Sequence, residues 1–98
     1  MDYIYLIESY SEHETLYKIG FSKHPQKRLK EIKTGNPTKL SIIYLFNTKH
    51  GRKVETCIHH HYEHKLYDGE WFRLDDDDVK KFENMCIILE KSFDFNFD

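Results

Sequence analysis

Residues 3–7 read YIYLI and residues 16–21 read LYKIGF, and these two stretches decide the fold of the chain. Rings and aliphatic side chains alternate in the first stretch, which is typical of a β-strand, and the second stretch predicts another strand. The polar residues 9–15 between them predict a loop, so the two strands are expected to pair as a hairpin. Because side chains alternate across a strand, Tyr5 and Lys18 are expected on a common face of this hairpin.

A helix is predicted after the hairpin. Pro25 suits the first position of a helix and Gly35 suits the position just past its end. Leu29 and Ile32, three residues apart, would form its buried stripe. The further predicted elements are a buried strand over residues 40–46 and a helix over about residues 52–66. A turn followed by a short strand or extended segment is predicted over residues 69–74, and a last helix opens at residues 75–78.

This order of elements predicts an α+β domain with a small antiparallel three-stranded sheet flanked by helices. The 98 residues fit one domain, which we place at residues 1–92, followed by an acidic tail at residues 93–98. In an extended tail, Phe93, Phe95 and Phe97 would lie on one side. Such a surface either folds back onto the core or pairs with a second copy of the chain, so a homodimer is one predicted state.

The composition excludes several classes of protein. No apolar run approaches the roughly 20 residues of a membrane span, and no secretory signal pattern opens the sequence. Cys57 and Cys86 have the spacing of neither a disulfide framework nor a zinc site, so we interpret them as reduced thiols in a cytoplasmic protein. The four aspartates at residues 75–78 are predicted to cap a helix rather than to bind a metal ion.

Charge is distributed unevenly along the chain. Residues 1–53 carry ten Lys or Arg against five Asp or Glu, whereas residues 54–98 carry five against twelve, for a net charge of -2. A basic half can bind phosphate while an acidic half supplies metal ligands. The negative total by itself argues against a nucleic-acid-binding protein, and the alternative interpretation of the asymmetry is scattered, solvated charge.

Several short motifs occur in an informative order. Residues 3–5 (YIY) stand thirteen residues before residues 18–20 (KIG), Arg28 follows in the first turn of the first helix, and Glu55 lies in the second helix. Residues 34–37 (TGNP) and 69–72 (GEWF) complete the order. This arrangement resembles the GIY-YIG nuclease superfamily, especially its small phage- and virus-type branch with a K-I-G second motif. Tyr3 stands at the glycine place of the first motif, and Lys18 at the tyrosine place of the second.

The resemblance implies a catalytic site for phosphodiester hydrolysis. Glu55 would hold one Mg²⁺ or Mn²⁺ beside the scissile phosphate, because carboxylate oxygens suit these hard cations. Arg28 would contact the phosphate with paired donors, and Tyr5 would orient or deprotonate the attacking water. Lys18 would place a cation beside Tyr5 and the phosphate. The alternatives for these residues are solvation for Glu55 and Arg28, strand packing for Tyr5, and an outward-facing strand position for Lys18.

Further residues receive less specific predictions. His59 lies four residues after Glu55 on the same helix face, and would polarise a metal-bound water or hold Glu55 in place. Tyr17 would be a core residue or a supporting hydroxyl, and Gly20 would permit close backbone approach. Trp71 would be a core anchor. Glu70 directly precedes Trp71, and the sequence assigns it no firm chemical role.

The four histidines at residues 59–61 and 64 allow a second interpretation. Residues 60–64 (HHYEH) match the H-x-x-E-H pattern of zinc proteases, in which two histidines share one helical face. Incidental zinc or nickel binding by His60 and His64 is the simpler form of this hypothesis.

Nucleic acid is the partner that these features predict. Lys23, Lys27, Lys30 and Lys33 surround Arg28 and would contact flanking phosphates without reading sequence, unless they are merely solvated. The predicted function is therefore an endonuclease, with DNA preferred over RNA as the substrate. The alternative is a catalytically weak module of the same fold that binds nucleic acid or a protein partner in phage–host conflict.

Overall fold

A computed structural model describes residues 1–36 and 38–95 of the chain. The elements in chain order are β1 (Asp2–Tyr10), β2 (Thr15–Ser22), α1 (Pro25–Lys33), β3 (Lys39–Thr48), α2 (Gly51–His61), β4 (Leu66–Asp68), β5 (Trp71–Phe72) and α3 (Asp76–Asp94). A 3₁₀ turn at Glu63–Lys65 lies between α2 and β4.

The strands form one antiparallel sheet in the order β3-β1-β2-β5-β4. The α+β class and the β1–β2 hairpin are confirmed. The expected count of three strands is wrong, because β4 and β5 extend the sheet beyond β2 through the pairing of Tyr17 with Phe72 and of Leu66 with Phe72. β5 lies within residues 69–74, where a short strand or extended segment is expected, but strands of two or three residues are too short for the sequence to predict their pairing.

The register of the hairpin decides which side chains share a face. Tyr5 lies opposite Gly20, and Ile7 lies opposite Lys18. Tyr5 and Lys18 therefore share one face, as predicted. Leu29 of α1 packs against this face together with Tyr5 and Ile7, so we call it the α1 face.

The opposite face of the sheet carries the larger core and is covered by α2 and α3. Ile4, Leu6 and Ile19 from the strands pack against Val54 and Ile58 of α2. All five of these side chains are fully buried. The short α1 thus covers a smaller core than the two longer helices do.

The second helix ends earlier than predicted. It stops at His61, and the chain then forms the 3₁₀ turn before Leu66 enters β4. Lys65 is tied to Asp75 and Asp78 at the start of α3, and Leu66, half-exposed, pairs with the last strand. These long-range contacts draw residues 62–66 away from the helix axis, although their apolar spacing continues the helical pattern.

The start of α3 confirms the capping prediction for the aspartates. The Asp75 side chain accepts a hydrogen bond from the Asp78 amide at 2.9 Å, and the Asp78 side chain accepts one from the Asp75 amide at 3.0 Å. This reciprocal capping box satisfies two amide groups that a helix leaves unpaired.

The extended conformation expected for residues 93–98 is wrong at its beginning. Phe93 and Asp94 belong to α3, and Phe93 packs against the larger core because it continues the apolar stripe of Leu89. Phe95 caps the helix and is 75% exposed, whereas Phe97 lies outside the described residues. In the part of the chain that the structure describes, no helix combines the length and apolar composition needed to cross a membrane.

Candidate active site

The Tyr5 ring lies directly over Gly20 at the end of the hairpin. A Cβ atom at Gly20 would stand 2.9 Å from Cε1 of the ring and closer still to Cζ and the hydroxyl oxygen. The ring itself is only 2% exposed. Any side chain at Gly20 would displace Tyr5, so glycine is needed here for the approach of an aromatic ring, whereas the sequence predicted close approach of the backbone.

Arg28 of α1 lies close enough to this buried tyrosine to affect its pKa. Burial raises the pKa of Tyr5 above its ordinary value, while hydrogen bonding to Arg28 lowers it and the negative charge of Glu70 raises it again. The hydrogen bond with Tyr5 in turn raises the pKa of Arg28. At neutral pH the pair is therefore a protonated phenol beside a guanidinium cation.

Three possible metal ligands lie beside this pair. Glu55, His59 and Glu70 each offer one ligand atom, and these atoms all lie within 4.8 Å of one another. Glu55 and His59 come from successive turns of α2, and Glu70 comes from the turn between β4 and β5. We call these three residues the Glu55 cluster.

The backbone of Ile19 positions two members of the Glu55 cluster. The Ile19 amide donates to the Glu70 carbonyl at 3.2 Å, and the His59 ring donates from Nε2 to the Ile19 carbonyl at 2.7 Å. Since a carbonyl oxygen only accepts, Nε2 carries the proton and Nδ1 keeps the lone pair in the neutral ring. Backbone contacts of this kind commonly orient histidines that bind metals.

The electrostatics of the cluster suit a divalent cation. Burial raises the pKa of Glu55, and the nearby Glu70 raises it further, while His59, the Phe21 backbone and Arg52 lower it. Two carboxylates held this close repel each other, and a cation between them would remove the repulsion. Two oxygen ligands and one nitrogen ligand fit Mg²⁺ or Mn²⁺, with water completing the coordination shell.

Lys18 contacts the Glu55 cluster through Glu70. Its ammonium lies 3.0 Å from the Glu70 carboxylate and 5.5 Å from the centre of the Trp71 ring. The whole residue is 9% exposed. Lys18 is thus fixed in place by an ion pair and an aromatic face, and it holds the Glu70 carboxylate in turn.

The structure therefore brings five of the predicted site residues together: Tyr5, Lys18, Arg28, Glu55 and His59. Tyr17 is not among them, since it packs in the larger core and its hydroxyl donates to Glu8 at 3.4 Å on the opposite face. The four predicted phosphate-binding lysines are exposed. They are Lys23 before α1 and Lys27, Lys30 and Lys33 within it.

The zinc-protease interpretation of residues 60–64 lacks its structural requirement. Because α2 ends at His61, His60 and His64 do not lie on one continuous helical face. His60 instead pairs with Glu63 at 3.3 Å on the surface.

Glu70 is the site residue whose role the sequence left open. Its position directly before Trp71 was visible, but its contact with Lys18 depends on the pairing of β5 with β2. A two-residue strand gives no sequence signal strong enough to predict that pairing.

Comparison with known proteins places this fold and site in a family. The T5orf172 domain family matches residues 2–87, which include every residue of the candidate site. The chain therefore belongs to the T5orf172 domain family, a phage-related group found in a nuclease context. Neither a curated protein nor a solved structure matches the chain.

Proposed function

We propose that this T5orf172 domain is a GIY-YIG-type endonuclease that hydrolyses phosphodiester bonds with the help of Mg²⁺ or Mn²⁺, in DNA rather than RNA. The observation that carries the proposal is the Glu55 cluster beside Tyr5 and Arg28. Carboxylates, an arginine and a phenol in one group match the needs of phosphoryl transfer to water.

Glu55, with His59 and Glu70, would hold the divalent ion. When bound, the ion supplies positive charge to the scissile phosphate and to the leaving oxygen. Binding of the ion would offset the burial and the repulsion from Glu70 that raise the pKa of Glu55. Lys18 keeps the Glu70 carboxylate aimed at the cluster through their 3.0 Å ion pair.

Arg28 and Tyr5 would act on the phosphate and the attacking water. The guanidinium donates hydrogen bonds to phosphate oxygens and stays charged at any working pH. The Tyr5 hydroxyl holds its proton at neutral pH, so it begins the reaction by orienting water. It becomes a base only when added positive charge lowers its pKa.

Incubation of supercoiled plasmid with the protein and Mg²⁺, Mn²⁺ or EDTA tests this proposal. Cleavage with either ion and none with EDTA is expected, and Glu55→Gln should cut at least about 10²-fold more slowly, the scale of losing a key electrostatic group. An intact plasmid under all conditions would overturn the proposal. If such a protein still bound nucleic acid, it would instead be a catalytically weak binding module.

The same assay reports on assembly. We infer that the active form is a homodimer or else a nickase, because one site with one metal ion cuts one strand per engagement. A dimer should linearise plasmid directly and give a mass of twice the 12.0 kDa chain mass by light scattering. A monomer should accumulate nicked plasmid. A monomer that linearises plasmid directly would contradict this inference. We place the activity in the cytoplasm of a host cell, where Cys57 and Cys86 stay reduced.

A further inference from the structure

A second basic surface lies at the start of α2, outside the motifs that mark the candidate active site. It surrounds a pocket of about 400 Å³. The pocket is lined by Asp2, Lys49, His50, Gly51, Arg52 and Lys53. Asp2 is the one acidic residue of this lining, against three Lys or Arg, so we call the surface the α2 basic pocket.

Two of its cations are held on aromatic rings. The Arg52 guanidinium lies 5.9 Å from the centre of the Phe21 ring, and the Lys53 ammonium lies 5.7 Å from the centre of the Phe93 ring. Both residues remain exposed. Contact with a ring restricts a long side chain without neutralising it, so less conformational entropy is lost when the charge meets a ligand.

The floor of the pocket is tightly packed. Gly51 is buried at the first position of α2, and a Cβ atom there would stand 2.9 Å from the Asp2 Cβ and 3.0 Å from the Phe21 ring. The start of β1 is therefore packed tightly against the first residue of α2 beneath the pocket.

The pocket adjoins the candidate active site through α2. Arg52 lies three residues before Glu55, which places the two side chains about one helical turn apart on neighbouring positions. On the other side, Arg28 of α1 partners Tyr5. Positive side chains from two different helices thus border the same group of residues.

The segment around α1 and the segment at the start of α2 hold much of the positive charge of a chain whose net charge is negative. Residues 23–33 contain five Lys or Arg and residues 49–53 contain three, together eight of the fifteen in the chain. A polyanion that crosses the site from α1 would next meet the α2 basic pocket. Exposed positive side chains attract such a ligand locally even though the net charge of the protein is negative. Salt screens this attraction.

We propose that the α2 basic pocket binds the phosphodiester backbone of the nucleic acid next to the scissile phosphate, an inference that rests on the proposed nuclease function. Lys49, Arg52 and Lys53 contact the phosphates that flank the one held at Glu55. Contacts to phosphates position the strand and carry no sequence information, so the pocket serves any sequence equally.

The test compares two matched double variants by binding of a short fluorescent DNA duplex over a range of salt concentrations, with EDTA present. Lys49→Gln with Lys53→Gln removes two charges from the pocket, while Lys80→Gln with Lys81→Gln removes two exposed charges from α3. Each lost phosphate contact reduces the slope of log affinity against log salt by about 0.9. The pocket variant should lose nearly two units of slope and bind at least about tenfold more weakly at low salt, while the α3 variant binds like the parent.

Cleavage assays separate this inference from the proposed function. If the parent cleaves DNA, the pocket variant should show a raised KM with kcat unchanged, and equal KM values for both double variants would overturn the inference. If the parent binds DNA without cleaving it, loss of binding in the pocket variant still supports the pocket while the nuclease proposal fails. Equal binding by the two variants, or no binding by the parent, would overturn the inference.

Discussion

Two clusters in this molecule have the same composition but different environments. The Glu55 cluster and a second group formed by His50, Glu90 and Asp94 each contain one imidazole and two carboxylates with ligand atoms within 4.8 Å. We call the second group the His50 cluster. It joins the loop before α2 to the last turns of α3.

The His50 cluster is closed on itself. His50 Nε2 lies 2.8 Å from the Asp94 carboxylate, so two of its members are hydrogen-bonded to each other. Glu90 accepts hydrogen bonds from the Thr48 hydroxyl and, at 3.1 Å, from the Lys49 amide. These contacts fasten α3 to the end of β3, which is a structural role.

The Glu55 cluster is oriented by residues that do not belong to it. Within the described residues, no hydrogen bond joins Glu55, His59 and Glu70 to one another. The Ile19 backbone contacts His59 and Glu70, and Lys18 pairs with Glu70, so these two members are oriented by residues outside the cluster. Composition alone therefore does not distinguish the two clusters. The direction of the surrounding hydrogen bonds does.

The largest expected difference between the clusters is in turnover. Glu55→Gln should lower kcat by at least about 10²-fold, because it removes the charge that holds the cation. Asp94→Asn, the same carboxylate-to-amide change in the His50 cluster, should leave kcat within about twofold of the parent. Plasmid cleavage under single-turnover conditions measures both. Equal losses in the two variants would mean that the clusters do not differ in function.

Gly20 allows a second comparison, between a glycine under the site and one on the surface. Gly20→Ala should cost about 1–3 kcal/mol of unfolding free energy and most of the activity, because the new Cβ displaces the buried Tyr5 ring. Gly35→Ala meets no atom within 4 Å and strains only its backbone φ of 75°, so it should cost about 1 kcal/mol and leave activity intact. Urea unfolding and cleavage assays together test this. Similar activity losses would refute the role given to Tyr5.

The residues around the Glu55 cluster should affect the chemical step more than binding. Arg28→Ala and Tyr5→Phe should each lower kcat by about 10- to 10³-fold while changing DNA affinity less, because their contacts with the phosphate and the water form mainly in the transition state. Lys18→Ala should lower kcat over the same range. Lys18→Ala acts by releasing Glu70, so Glu70→Gln should not add to its effect. Normal kcat at saturating DNA would assign these residues to docking instead.

The smallest expected effect concerns stability without metal. The folded-state pKa of Glu55 is raised, so its carboxylate weakens the fold as pH rises from its ordinary pKa through the raised value. At neutral pH, metal-free Glu55→Gln should therefore melt a few degrees above the parent, and Mn²⁺ should stabilise only the parent. Thermal unfolding with EDTA and with Mn²⁺ measures this. A variant that melts lower without metal, or an equal response to Mn²⁺, would contradict the assignment.

Local patterns in the sequence determined much of the fold and part of the site. The alternation in residues 3–7 and the pattern of residues 16–21 predicted the hairpin, and their register placed Tyr5 and Lys18 on one face. Pro25 begins α1 as expected, and the aspartates cap α3. Each of these features depends on neighbours a few positions away, where side-chain periodicity and capping chemistry act directly.

Only the tertiary structure decided the features that depend on distant partners. The end of α2 at His61 follows from the contacts of Lys65 and Leu66 with later residues, and Phe93 stays helical because a core is present to receive it. Glu70 joins the site through the pairing of a two-residue strand with β2. Burial and long-range pairing outweigh weak local preferences at such positions, so only the folded chain shows that the Glu55 cluster is held open and the His50 cluster closed.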